Sequence, residues 1–356
     1  MNNVRAIQKK LENAGLDGFL VIDERNQRYA CGFPFTDGAV LITLKNAYLF
    51  TDSRYIEAAE KLVDADVRVE LFGGSRPLME LIKNALRENG VQKPGAEEGS
   101  LPHAQWLRYE EALGLPLIPA QSIFDTLRAT KSPEEQQYMR EAQAIAEKAF
   151  CDVLGIIRMG MTEREVAAEI TYRLLKHGAE GNSFEPIAVT GANSSMPHGV
   201  PSDTPIRAGD FLTMDFGCVH KGYCSDMTRT VAIGYATDEM KTVYDTVLRA
   251  QQKGIEAARA GVLGCEIDAA ARKVIEDAGF GQYFGHSFGH SLGLYIHESP
   301  NASPSSMTPM PEGAVISAEP GIYIPNKFGV RIEDVLILKK DGCENITHAP
   351  KELIIL

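Results

Sequence analysis

A chain of 356 residues, 44% hydrophobic and 24% charged, has the composition of an ordered protein with a sizeable core and is long enough for two domains. Its net charge of -12 disfavours non-specific binding to nucleic acid or to an anionic membrane, since both need basic patches. No apolar run approaches a membrane span, the N-terminus is charged throughout, and six scattered cysteines without a C-x-x-C pair read as reduced thiols, so the expectation is a cytoplasmic protein.

Residues 1 to about 125 alternate helical and strand patterns, as α/β units do. The pattern predicts a helix over 4–13 stopped by Gly15, a buried strand over 18–23, and a hairpin of 39–43 with 47–51 across Lys45-Asn46. A helix over 55–62, a strand over 67–72 and a helix over 77–88 follow. Ser100 is a candidate cap for a further helix to 113, and 115–119 reads as a last short strand. Nothing in this part clusters His, Cys or acids at metal-ligand spacing.

The character changes near 125–132, which places a domain boundary between 127 and 128. Ser132-Pro133-Glu134-Glu135 is a helix start, with Ser as N-cap, Pro at the first helical position and Glu three residues after the cap. Thr162-x-x-Glu165 is a second capping box, opening a helix with Val166, Ile170 and Leu174 inward and Gly178 as its stop. Residues 185–233 are strand-rich, 238–260 read as a helix, and Asp268 is a candidate cap for another helix ending at Gly279. Residues 300–311 read as a surface loop, flanked downstream by strands over 313–319 and 330–338.

The chemistry concentrates in this second part. Residues 212–231 form a hairpin pattern turning near Lys221-Gly222, with Asp215 and Asp226 each inside an apolar or β-branched run. Buried carboxylates cost several kcal/mol unless paired or metal-bound, so two on facing arms call for partners: a structural ion pair or a cation. Downstream, residues 285–298 place His286, His290 and His297 among glycines, as either an exposed turn or a rigid imidazole-presenting segment. Glu319 ends an apolar run, and Glu333 lies in a run of strand formers where Arg331 and Glu333 share one face and Asp334 the other. Four carboxylates and one histidine make an oxygen-rich donor set that suits hard or borderline divalent ions such as Mn²⁺ or Co²⁺ better than a structural zinc site. Because carboxylates can bridge, five side chains suffice for two ions at the spacing of hydrolytic two-metal sites, roughly 3.5 Å.

Met-Asp-Phe-Gly at 214–217, Ser-Asp-Met-Thr-Arg-Thr at 225–230, Gly-His-x-x-Gly at 289–293 with His297-Glu298, Glu-Pro-Gly at 319–321 and Arg-Ile-Glu-Asp at 331–334 together resemble the pita-bread metallopeptidases. The branch they resemble most is that of Xaa-Pro aminopeptidases and prolidases. The resemblance implies a creatinase-like α/β N-terminal domain over 1–127, then an α+β pita-bread catalytic domain over 128–356. It also implies a ligand set of Asp215, Asp226, His290, Glu319 and Glu333 for two divalent ions. Asp226 and Glu333 would bridge, Asp215 would complete one ion, and His290 with Glu319 the other. His198, in Pro197-His198-Gly199, and His297 match the family's substrate-side histidines. His286 lies where many members have a histidine near the substrate, and Arg331 where an arginine organises the site.

The implied reaction is hydrolysis of the bond before proline, with Glu319 as general base and then acid, and with His198 and His297 at the oxyanion. Mn²⁺ is the expected metal, Co²⁺ and Zn²⁺ its competitors, and a homodimer acting on proline-containing peptides the expected assembly. A metal-independent creatinase-like C–N hydrolase or a non-catalytic binding module on the same fold is the alternative. One departure is visible: Ser291 follows His290 where the family usually has glycine.

Overall fold

Six short strands in the order Val67–Leu71, Ala47–Thr51, Ala39–Thr43, Gly18–Val21, Pro94–Ala96, Ile118–Pro119 form a mixed sheet in the first part of the chain. The predicted hairpin is there, with Ala39 opposite Phe50 and Ile42 opposite Ala47. Both of its strands are buried along their whole length, so their side chains are apolar on both faces instead of alternating. This computed structural model describes residues 2–356. The chain divides into two units, one ending at Leu127 and the other running Arg128–Leu356.

Three features of the first unit differ from the sequence reading. A helix at Glu24–Cys31 has little apolar periodicity, but Asp23 caps it by accepting from the amides of Arg25 and Asn26. The helix expected from Ser100 starts only at His103, because Pro102 bars its predecessor Leu101 from helical dihedrals. A short helix, Ser122–Arg128, occupies part of the stretch where the boundary was drawn.

The second unit is built as two halves of similar plan. In the first, helices Pro133–Leu154 and Glu163–Lys176 bury one apolar stripe each against strands Ile187–Thr190, Phe211–Phe216 and Met227–Ala232. Both helices open on the predicted capping boxes, Ser132 with Glu135 and Thr162 with Glu165. In the second half, helices Asp238–Ala257 and Gly264–Asp277 cover strands Val315–Ala318, Gly321–Ile324, Phe328–Arg331 and Asp334–Lys339.

Asp268 is not a cap. It lies in the second turn of Gly264–Asp277, where its carboxylate pairs with Arg272 at 2.7 Å and accepts from the amide of Phe288 at 2.8 Å. The strand expected over 330–338 is two: Phe328–Arg331 pairs with Gly321–Ile324, and Asp334–Lys339 pairs with Val315–Ala318. Ile332 and Glu333 form the break. Nor is 300–311 simply a surface loop, since Glu298–Ala302 is a strand and Ala302 and Met310 are buried.

One buried arginine locks the halves together. Arg229, 1% exposed, leaves strand Met227–Ala232 and donates to the carbonyls of Glu333 at 2.5 Å, Ala349 at 2.8 Å and Pro350 at 2.8 Å. It also meets the Asp334 carboxylate at 2.9 Å, which Lys351 reaches from another side at 2.7 Å. A guanidinium is suited to this because its five donors point in fixed directions. We predict that Arg229→Ala destabilises the protein by about 3–5 kcal/mol, because Asp334 and three carbonyls are left short of donors. A denaturant titration checks this, and a loss below about 1 kcal/mol would contradict it.

Candidate metal centre

Asp215 sits inside strand Phe211–Phe216, opposite Thr228 on one neighbour and Ile187 on the other. The chain turns back at Lys221 and Gly222, which both have positive φ, 50° and 82°. Asp226 then precedes strand Met227–Ala232 directly. The two arms press so closely that a Cβ on Gly217 would lie 1.9 Å from the carbonyl oxygen of Ser225, so only glycine fits there. His290 is carried by strand Gly289–Ser291, Glu319 follows strand Val315–Ala318, and Glu333 lies in the break after Phe328–Arg331. Both halves of the unit therefore contribute.

All five predicted ligands line one cavity of about 500 Å³, together with His198, His286, His297 and Arg331. Single donor atoms of Asp226, His290 and Glu333 lie within 4.8 Å of one another. His290 Nε2 is 3.2 Å from Glu319 Oε1 and 3.5 Å from Asp226 Oδ2. Its Nδ1 lies 3.2 Å from the carbonyl of Ser291, which can only accept, so Nδ1 carries a hydrogen and Nε2 faces the carboxylates. The ring packs edge-on to His297 with centroids 4.4 Å apart. Asp215 departs from the others in that its Oδ2 takes a 2.5 Å hydrogen bond from Arg331. Ser291 points away from the cavity: its hydroxyl is fully buried, donates to the carbonyl of Val315 at 2.7 Å and receives Lys131 at 3.3 Å.

Three supporting residues escaped the sequence reading. Thr228 donates to Glu333 Oε2 at 2.7 Å and accepts from Arg331 Nε at 3.0 Å. Ser317 donates to Glu319 Oε1 at 2.9 Å and accepts from the amide of His290 at 3.0 Å. The Tyr323 hydroxyl accepts from Arg331 at 2.7 Å and lies 2.9 Å from His286 Nε2. Thr228 and Ser317 are each two residues from a predicted ligand, and strand alternation puts such pairs on one face. That was the available signal; Tyr323 had none.

The electrostatics follow from crowding acids in a dry pocket. Burial pushes Asp226 up from 3.8 to about 7 against the pull of His290, and raises Glu333 well above the carboxylate range with help from the Asp226 charge. Burial opposes ionisation of Glu319 too, but the His290 hydrogen bond and charge, with His286 and Arg331, bring it down to about 2. Burial likewise opposes a charged His290, yet hydrogen bonds to Asp226 and Glu319 raise it well above its ordinary value. Burial lowers His286 and His297.

The donor set fits divalent cations. Two buried carboxylate oxygens, Asp215 Oδ1 and Glu333 Oε1, have no hydrogen-bond partner, and such orphans are costly unless a cation faces them. The oxygens are hard donors and the imidazole a borderline one, the combination expected around Mn²⁺, Co²⁺ or Zn²⁺.

Residues 137–340 match metallopeptidase family M24, and residues 4–130 match the creatinase/prolidase N-terminal domain. The chain belongs to metallopeptidase family M24. Its fold is accordingly an α/β N-terminal domain followed by a pita-bread catalytic domain, and the family implies divalent metal ions. The chain is 35% identical over 353 residues to an Xaa-Pro dipeptidase of Pyrococcus horikoshii, covering 99% of this chain and 98% of that one. It superimposes on the Xaa-Pro dipeptidase from Bacillus anthracis with TM-score 0.95 and 41% identity, covering 99% of each chain. It also superimposes on the X-Pro aminopeptidase from Thermotoga maritima with TM-score 0.92 and 36% identity, covering 98% of this chain and 100% of that one.

In the metal-free M24 protein, an Asp226 held near 7 stays protonated over a range where the unfolded chain ionises it. That contribution to stability is complete below the ordinary carboxylate range and is lost as pH rises through about 7. Cations bind the deprotonated set, so the stabilisation by added Mn²⁺ should grow from about pH 5 to about pH 8. Melting curves of metal-stripped protein with and without Mn²⁺ measure this, and a shift independent of pH would contradict it.

Proposed function

We propose that this enzyme hydrolyses the peptide bond preceding proline, at the N-terminus of peptides or in dipeptides, with Asp215, Asp226, His290, Glu319 and Glu333 holding two divalent cations. The single observation that carries the ligand assignment is the pair of orphaned oxygens, Asp215 Oδ1 and Glu333 Oε1, inside a cavity lined by all five side chains. A metal-independent creatinase-like hydrolase or a binding module would leave both oxygens uncompensated. Bound there, the cations supply Lewis-acid activation of water and of the scissile carbonyl.

The protein's own groups do the rest. Glu319, held ionised by His290, takes the proton of the attacking water and returns it to the proline nitrogen as the bond breaks. His198 and His297 reach the cavity from different elements and donate to the carbonyl oxygen as it gains charge. Arg331 fixes Asp215 and, through Tyr323, orients His286. Phe184, Pro186, Ile187, Val200 and Ile296 supply apolar wall for the substrate's side chains. Proline's ring fixes its φ and its nitrogen lacks a hydrogen, so a pocket that reads shape can select it.

Mn²⁺ is the metal this donor set favours, with Zn²⁺ and Co²⁺ as competitors in the order of intrinsic affinities. A cytoplasmic location fits six cysteines that form no disulfide among the described residues. The family resemblance extends to a homodimer, which light scattering of the purified protein checks.

Asp226→Ala or Glu333→Ala should abolish stoichiometric metal and turnover together; retained activity in a metal-stripped Asp226→Ala protein would sink the assignment. Substrate length is the second test. The full-length similarity to Xaa-Pro dipeptidases favours dipeptides, so an Xaa-Pro dipeptide should give a higher kcat/KM than the matching Xaa-Pro-Xaa tripeptide. A tripeptide hydrolysed faster than the matching dipeptide would reverse that preference.

A further inference from the structure

The cavity wall that carries His198 is a long connection, residues 191–210, between strands Ile187–Thr190 and Phe211–Phe216. Irregular connections of this length are uncommon in compact domains unless something holds them. The His198 imidazole makes no hydrogen bond to the described residues. Where it points is therefore set by its backbone.

The backbone is held at both ends by one carboxylate. Glu163, the first residue of helix Glu163–Lys176, is fully buried. Its Oε1 accepts from the amide of Thr190 at 2.7 Å and from Asn193 Nδ2 at 3.0 Å. Its Oε2 accepts from the amide of Ser202 at 2.9 Å and from the Ser202 hydroxyl at 2.6 Å. The clamp is reciprocal, because the helix's first two amides, of Glu163 and Arg164, donate to the carbonyls of Thr204 and Ser202 at 3.1 Å each. The helix N-terminus thus satisfies two of its orphan donors on the connection, and its dipole favours the negative charge of Glu163. Between the clamped ends, Arg331 donates to the carbonyl of Pro197 at 3.2 Å, and the Ser194 hydroxyl accepts from the amide of Gly329 at 2.9 Å.

A buried carboxylate among neutral donors is a poor way to gain stability compared with apolar packing. Its geometry suits another purpose. We propose that Glu163 is a positioning residue for catalysis: by tying Thr190 to Ser202 it sets the reach of His198 into the cavity. This rests on the role given above to His198 at the oxyanion. A contact that forms fully only as charge develops is sensitive to displacement, and a misplacement of about 1 Å can lower the rate on the order of 10²-fold.

The test is a double-mutant cycle on the metal-loaded enzyme with an Xaa-Pro dipeptide. Glu163→Gln keeps the shape and replaces one acceptor oxygen by a donor, so one end of the connection is released. We expect kcat to fall on the order of 10-fold to 10²-fold with KM and metal stoichiometry little changed. In a His198→Ala background the same substitution should have almost no further effect on kcat. Ser202→Ala, which removes only the hydroxyl donor, should show the same pattern at smaller size and serves if Glu163→Gln does not fold. Losses that multiply in the His198→Ala background, or loss of metal from either variant, would overturn the clamp. Full activity of His198→Ala alone would instead overturn the role of His198, which separates the two failures.

Discussion

Bringing Asp215, Asp226, Glu319 and Glu333 into one buried cavity costs several kcal/mol per charge, and much of the surrounding structure offsets that cost. Two protein cations face the four carboxylates: Arg331, bound to Asp215, and His290, between Asp226 and Glu319. That is not enough positive charge. Without metal, burial pushes Asp215, Asp226 and Glu333 upward, while the hydrogen bond and charge of His290 bring Glu319 down. Divalent cations remove the shortfall without protons. Structure, charge balance and hydrolytic chemistry thus meet in one constraint.

The constraint demands a scaffold that does not yield. Asp215 and Asp226 come from the first half of the catalytic unit, and His290, Glu319 and Glu333 from the second. Arg229 spans the halves and holds the carbonyl of Glu333 itself. Thr228, in strand Met227–Ala232, and Ser317, in strand Val315–Ala318, restrain the carboxylates of Glu333 and Glu319. Side chains restrained in this way would meet a cation with little reorganisation. The two histidines proposed for the substrate side are different. His198 sits on a connection and His297 near the end of a glycine-rich turn, where backbone restraint decides their aim.

Much of the fold is legible where local chemistry acts alone. The capping boxes at Ser132 and Thr162 start their helices because two reciprocal hydrogen bonds form within four residues whatever else the chain does. The hairpin at 39–51 follows from two apolar runs and a short polar turn. The misreadings in the second unit share one cause. Asp268 looks like a cap but bonds Arg272 and Phe288; the strand 330–338 is broken where Glu333 must turn toward its partners; Pro300 to Ala302 is strand because it pairs across to Gly289–Ser291. In each case a residue's role depends on something distant in the chain.

The same division holds for the site. The acidic residues embedded in strand-forming runs determined by themselves that buried partners were needed, an ion pair or a cation, because an apolar run cannot bury a carboxylate unaided; the ordered motifs then pointed to a metal site by their resemblance to a family. Only the tertiary structure decided which oxygens remain unpartnered, that Arg331 is taken by Asp215, that Tyr323 and Thr228 complete the surroundings, and that Ser291 faces away from the cavity. Those facts depend on distances between segments up to 116 residues apart, and no local pattern encodes them. A side chain's chemistry is carried by its own residue. Its partners are assigned by packing.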